Sequence, residues 1–224
     1  MPTIIIDFAG TLIRKEIIEE ANVFRSKILQ RSFPTKKEHA HPKQLYKINN
    51  QFVEKLTGLK KRMRIDFTEN DGDEITLTGE EIQTQIATNL FQIGMFMAAK
   101  KYGKRILPAG LLGELQRLQK KGYSFVIISG VRTDIISGVL QIAKIPITFD
   151  IYGQPPILGR TNTESLKKIK KAAFVIGDKM NDLQLAKKVG ANSIFVTWGH
   201  PEGGEEKEAD FSIRKAVDLK KIIP

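Results

Sequence analysis

Apolar residues come in two textures along this chain. Thr3-Ile4-Ile5-Ile6 is a short β-branched run that stops at Asp7 and Gly10, the pattern of a strand buried on both faces that feeds a tight loop. Three similar runs follow late in the chain, Tyr123 to Ser129, Ala172 to Asp178 and Asn192 to Thr197. Each comes after a polar or lysine-rich helical stretch, so strand and helix alternate as they do in parallel α/β proteins. Leu111, Leu112, Leu115 and Leu118 make a helical stripe that ends at Gly122, a fitting C-cap, and Asp182 to Val189 repeats the pattern up to Gly190. The expected core is an α/β, Rossmann-like, mostly parallel sheet flanked by helices.

Between about Arg14 and Lys104 the alternation gives way to long helical patterns. This predicts an inserted, predominantly helical cap at 14–104, with 1–13 and 105–224 forming the core domain. Inside the insertion, Arg62 to Phe67 and Glu74 to Thr78 flank Glu69-Asn70-Asp71-Gly72-Asp73, which reads as a β-hairpin turn. Its glycine and acidic residues are out of register for a calcium loop. Thr78 as N-cap and Glu81 as its capping-box partner predict a helix to about Lys101, apolar at Ile82, Ile86, Leu90, Ile93 and Met97.

Composition narrows the class. With 224 residues, 41% apolar and 27% charged, the chain has room for one core plus one insertion and is neither disordered nor membrane-like. Its longest apolar runs, such as Phe125 to Ile128, fall far below the roughly 20 residues that cross a bilayer. The opening has no basic n-region, so the cytoplasm is the expected compartment. No cysteine is present, which removes disulfides, thiolate nucleophiles and cysteine metal sites. The formal charge of +11 attracts polyanions, yet the lysines are spread over Lys36 to Lys61, Lys100 to Lys121 and Lys167 to Lys171 rather than gathered in one arm. No nucleic-acid recognition pattern accompanies them. The expected partner is a small phosphorylated compound, with no membrane and no nucleic acid, and oligomeric state is left open.

The strand ends carry the candidate chemistry. A carboxylate such as Asp7 at the end of a parallel strand, beside a metal, can attack phosphorus and divide one hard displacement into two easier ones. Asp178 ends a second strand, so the two acids can meet at one sheet edge and hold a hard cation, for which magnesium fits best. Asp182 lies one helical turn further and points back to the same edge. Ser129 and the amide of Gly130, where strand passes into helix, are candidate donors to phosphate. The plainer readings are a capped helix start for Asp178 and Asp182, and an ordinary turn for Ser129-Gly130.

Asp7-Phe8-Ala9-Gly10-Thr11-Leu12 resembles the first motif of haloacid dehalogenase (HAD) superfamily hydrolases, usually Asp-x-Asp-Gly-Thr. Val126-Ile127-Ile128-Ser129-Gly130, a basic residue, and Gly177-Asp178-Lys179-Met180-Asn181-Asp182 follow in that family's order, and Gly190-Ala191 and Ala209-Asp210-Phe211 are also similar to its members. The resemblance covers the core and leaves the cap unidentified. It implies a nucleophilic Asp7 and phosphate contacts from Gly10, Thr11, Ser129 and Gly130. It also implies Mg2+ held by Asp7, the main-chain carbonyl of Ala9, Asp178 and Asp182. The family's third motif supplies a lysine, for which Arg160 stands first here, with Lys167 and Lys168 as alternatives. An arginine keeps the charge but brings a planar fork, and Arg160 also reads as a surface residue of a polar loop.

Ala9 is the departure. The resemblance places there a second aspartate that protonates the leaving alcohol and activates water, work typically worth about 10² to 10⁴ in rate. Asp-x-Ala-Gly-Thr looks like the first motif of phosphonoacetaldehyde hydrolase, in which a cap lysine forms a Schiff base and phosphorus is cleaved from carbon. The surrounding Leu12-Ile13-Arg14-Lys15 does not follow that enzyme, and none of Lys27, Lys36, Lys37, Lys43, Lys47 and Lys55 stands out as its lysine. His39 and His41 could supply a proton instead, although their segment reads as a solvated loop. The expectation is a magnesium-dependent phosphatase working through an aspartyl-phosphate. A phosphonatase-like enzyme is the runner-up, and a weakly active phosphate- and metal-binding protein is the third reading.

Overall fold

In a computed structural model the structure describes residues 2–29, 79–154 and 172–224. Six strands form one parallel sheet in the order β3-β2-β1-β4-β5-β6. They are β1 (Thr3–Ile6), β2 (Ser124–Arg132), β3 (Phe149–Gln154), β4 (Ala172–Gly177), β5 (Asn192–Val196) and β6 (Phe211–Ile213). The helices are α1 (Lys15–Leu29), α2 (Gly79–Tyr102), α3 (Leu111–Lys120), α4 (Thr133–Ile142), α5 (Met180–Val189), α6 (Glu205–Glu208) and α7 (Leu219–Ile222).

Side chains alternate across the sheet, which divides the apolar residues between its two faces. Ile4, Ile6, Phe125, Ile127, Ile176, Ile194 and Val196 join the larger cluster, together with residues of α1, α2, α3 and α4. Ile5, Val126 and Val175 join the smaller one, under Ala186, Leu185 and Val189 of α5. A β-branched run with no polar alternation is what a strand covered on both sides requires, and this explains why Thr3–Ile6 reads so plainly. The α-helical stripe of α3 buries Leu111, Leu115 and Leu118, and the chain then turns through Gly122 at φ +86°. Gly190, at φ +69°, closes α5 in the same way.

The helix expected to reach about Lys101 runs Gly79–Tyr102. It and α1 pack on each other, and Ile17, Ala21, Met95, Phe96, Ala98 and Ala99 enter the same cluster as β1. Phe96 reaches α4, where a Cβ on Gly138 would lie 2.1 Å from its ring. The expected hairpin and the Thr78 cap lie outside the described residues. Among the described residues, no helix is long and apolar enough to cross a membrane.

Candidate active site

Asp7 is the first residue past β1 and Asp178 the first past β4. Ile6 pairs with Ile176, so the two carboxylates leave neighbouring strands at one edge. That edge is where the strand order reverses, the place at which open α/β sheets bind their ligands. Asp182 sits in the first turn of α5, where its Oδ2 accepts the Lys179 amide at 3.0 Å. Capping the helix this way turns the side chain back to the sheet edge. Asp7, Asp178 and Asp182 each bring an oxygen within 4.8 Å of the others.

Asp178 is fully buried and held from two sides. Its Oδ1 accepts the Thr11 hydroxyl at 3.0 Å and its Oδ2 accepts the His200 amide at 2.7 Å. Two glycines make the room. Gly10 lies at φ +101°, and a Cβ there would stand 2.4 Å from Asp178 Oδ2; a Cβ on Gly199 would stand 2.2 Å from the same atom. Both positions are closed to larger residues by a carboxylate rather than by backbone shape alone.

Burial and the neighbouring charges of Asp182 and Asp178 hold the Asp7 carboxyl well above its ordinary value, against an opposing hydrogen bond at Phe8 and the charge of Lys179. Burial, joined by the Asp178 charge, pushes Asp182 up from 3.8 to about 6. The cluster is thus short of positive charge, and its donors are all oxygen. A hard divalent cation is what such a set accommodates.

The sign of the resulting pH dependence follows from linkage. A carboxyl whose pKa is raised on folding stabilises the fold below its unfolded value and loses that contribution as pH rises through the folded one. For Asp182 this loss spans 3.8 to about 6, and for Asp7, whose carboxyl is also pushed up, it has the same sign. The contribution of this cluster to the stability of the chelator-treated protein is therefore expected to fall across this range, and Mg2+ to raise the Tm more at about pH 7.5 than at about pH 5. Thermal unfolding with EDTA and with Mg2+ at both pH values measures this; a larger shift at the acidic value would contradict it.

Ser129 lies two residues beyond Ile127, which pairs with Ile6, and so stands at the same edge as Asp7. Its Oγ accepts the Val131 amide at 3.2 Å, and Gly130 is exposed. The strand does not end there as the sequence reading expected. It continues, irregular between Ile128 and Arg132, until Arg132 pairs with Gln154, and α4 begins at Thr133. The added stretch of partner strand keeps the backbone extended, and the Arg132 guanidinium holds Asp134 at 2.7 and 3.0 Å. A helix N-terminus therefore does not sit directly behind Gly130.

Ala9 is partly buried, packs against the core and forms a bridge with Ile13. The Gly10 amide donates to the Ile13 carbonyl at 3.0 Å, which closes the turn after Asp7. Arg160, Lys167, Lys168, His39 and His41 lie outside the described residues. Two features of the edge were missed in the sequence. Lys179, between two of the acids, acts on both Asp7 and Asp178 and pairs with Glu202 at 3.0 Å. The segment after β5 contributes Trp198, whose Nε1 donates to the Thr11 carbonyl at 3.0 Å, and the His200 amide. The signal available was position: Thr197-Trp198-Gly199-His200 follows a strand that ends at the same edge.

A protein-family profile for haloacid dehalogenase-like hydrolases matches residues 1–190. No curated protein matches the chain. Among solved structures, a haloacid dehalogenase-like family hydrolase from Streptococcus pneumoniae is 17% identical with a TM-score of 0.61, covering 100% of this chain and 99% of its own. The HAD hydrolase YfnB from Bacillus subtilis, bound to magnesium, is 15% identical with a TM-score of 0.59, covering 99% and 98%. CbbY from Rhodobacter sphaeroides, in complex with xylulose-(1,5)bisphosphate, is 15% identical with a TM-score of 0.59, covering 98% and 96%. Identities this low speak to the fold alone. The family profile spans most of the chain and includes both acid-bearing strand ends: the protein belongs to the haloacid dehalogenase-like hydrolases.

Proposed function

We propose that the protein is a magnesium-dependent phosphohydrolase acting on a small phosphorylated compound through an aspartyl-phosphate on Asp7. The convergence of Asp7, Asp178 and Asp182 within 4.8 Å at the strand-order switch carries this reading. The magnesium of the Bacillus hydrolase and the sugar bisphosphate of CbbY are compatible with it.

An oxygen of the Asp7 carboxylate attacks phosphorus, forming a P–O bond to the side chain as the bond to the leaving group breaks. Water then attacks the acyl phosphate and releases inorganic phosphate, restoring the carboxylate. Magnesium held by Asp7, the Ala9 carbonyl and Asp178, with Asp182 alongside, would supply charge neutralisation for the phosphoryl oxygens. Ser129 and the Gly130 amide hold phosphate, with Arg160 as the balancing cation. Gly10 and Thr11 bring the nucleophile loop to the phosphate, with the Gly10 amide donating to the Ile13 carbonyl and the Thr11 hydroxyl to Asp178. The insertion at 14–104 would supply the cap that selects the leaving group, with Ile17, Ala21, Met95, Phe96, Ala98 and Ala99 anchored in the core cluster.

Ala9 favours one second reading. A methyl group cannot protonate a departing alcohol, so a leaving group activated in another way suits the site, as in phosphonatase-like cleavage through a lysine Schiff base. A phosphate-release screen over phosphorylated metabolites, with Mg2+ and with EDTA, tests the main proposal, and release that ignores the metal contradicts it. Borohydride inactivation that requires an aldehyde substrate would replace it with the second. Silence in both, with ligand binding retained, would leave a binding protein.

A further inference from the structure

The chain leaves β5 at the edge that carries Asp7 and Asp178, and its next residues close a ring. Trp198 Nε1 donates to the Thr11 carbonyl at 3.0 Å. The Thr11 hydroxyl donates to Asp178 Oδ1 at 3.0 Å, and the His200 amide donates to Asp178 Oδ2 at 2.7 Å. His200 is two residues from Trp198, so the path returns to its start. It runs from the nucleophile loop to the buried carboxylate, on to the β5 loop, and back. Gly199 lets that loop press against the carboxylate, since a Cβ there would stand 2.2 Å from Oδ2. The loop is itself braced. Glu205, 1% exposed, accepts the Glu202 and Gly203 amides at 2.8 Å each, and Glu202 reaches Lys179, the neighbour of Asp178, at 3.0 Å.

A ligand carboxylate fixed in rotation by two donors has little ordering left to lose when a cation arrives, which is how partners outside the coordination shell raise metal affinity. Thr11 performs one of those donations, and the position of Thr11 is set by what holds its carbonyl. We propose that Trp198 is a positioning residue for the metal site: its indole N–H fixes Thr11, Thr11 fixes Asp178, and the ring as a whole sets the spacing between Asp178 and the Asp7 loop. Trp198 itself acts only through Thr11. This inference rests on reading the three acids as a magnesium site.

Isothermal titration of the full chain with Mg2+ tests it directly, without reference to turnover. Trp198→Phe keeps an aromatic ring and removes the N–H; Thr11→Val keeps the shape and removes the hydroxyl; Thr11→Ser restores the hydroxyl. The first two are expected to weaken Mg2+ binding by about 10- to 100-fold each, with little further loss when combined, and Thr11→Ser is expected to bind close to the parent. Trp198 is the sole tryptophan, so its emission in the parent protein should change along the same titration. Unchanged Mg2+ affinity in Trp198→Phe, with only a lower Tm, would overturn the proposal while leaving the metal site intact. A parent protein that binds no Mg2+ would remove the metal reading and this one with it. Should Trp198→Phe fail to fold, the Thr11 pair and the parent emission decide: a Thr11→Val variant that binds like Thr11→Ser, or an emission indifferent to Mg2+, overturns the ring.

Discussion

Asp7→Asn is expected to lower turnover by at least about 10³-fold and, at neutral pH, to raise the Tm of the metal-free protein. The two effects have one origin. Asp7 is the oxygen nucleophile of the proposed reaction, and an amide at that position cannot form the acyl phosphate. The ionised form of the same carboxyl is disfavoured by burial and by two other acids, which is why its pKa is raised. Removing the charge relieves that repulsion, and in a chain of this size each kcal/mol relieved corresponds to about 2–4 °C. Mg2+ affinity falls at the same time, because one of three clustered carboxylates is lost. Thermal unfolding in EDTA, beside a phosphate-release assay in Mg2+, measures both. A variant that loses activity and also melts earlier in EDTA would mean that Asp7 is a structural acid.

Ala9→Asp is expected to increase hydrolysis of alkyl phosphates by about 10² to 10⁴, the usual worth of a positioned acid/base. The gain should depend on the leaving group. An alkoxide needs a proton as it departs, whereas a nitrophenolate does not, so p-nitrophenyl phosphate should improve far less. Ala9 stands two residues past Asp7 in the turn bridged to Ile13, so the new carboxylate starts from the backbone of the nucleophile loop. It adds a fourth carboxyl to the edge, and the metal-free protein is expected to be less stable than the parent once these acids ionise. Rates for an alkyl and an aryl phosphate, parent against variant, make the comparison. An equal change for both substrates would show that proton transfer to the leaving group is not what the parent lacks.

The core was legible because its signals are local. β-branched runs without polar alternation marked the strands β1, β4 and β5, and Gly122 and Gly190 marked the ends of α3 and α5 at backbone angles that favour glycine. Asp7 and Asp178 were legible for the same reason, since each is the polar residue that ends such a run. β3 and α4 were not. Phe149–Gln154 mixes Asp150, Gly153 and Gln154 into a short edge strand, and Thr133–Ile142 is rich in Ile and Val, so neither length nor period separates strand from helix there. The end of β2 was misplaced by three residues because pairing with β3, a non-local partner, keeps Ser129 to Arg132 extended.

By itself, then, the sequence determined that Asp7 and Asp178 each follow a strand in a parallel α/β protein, because periodicity and turn chemistry are properties of adjacent residues. Tertiary structure decided how those groups act on one another. Thr11 lies 167 positions from Asp178 and 187 from Trp198, yet it bonds both. Mutual burial, not composition, raises the pKa values of Asp7 and Asp182. Contacts between distant loops depend on strand order and register, and those are settled only when the sheet has assembled around its two apolar faces.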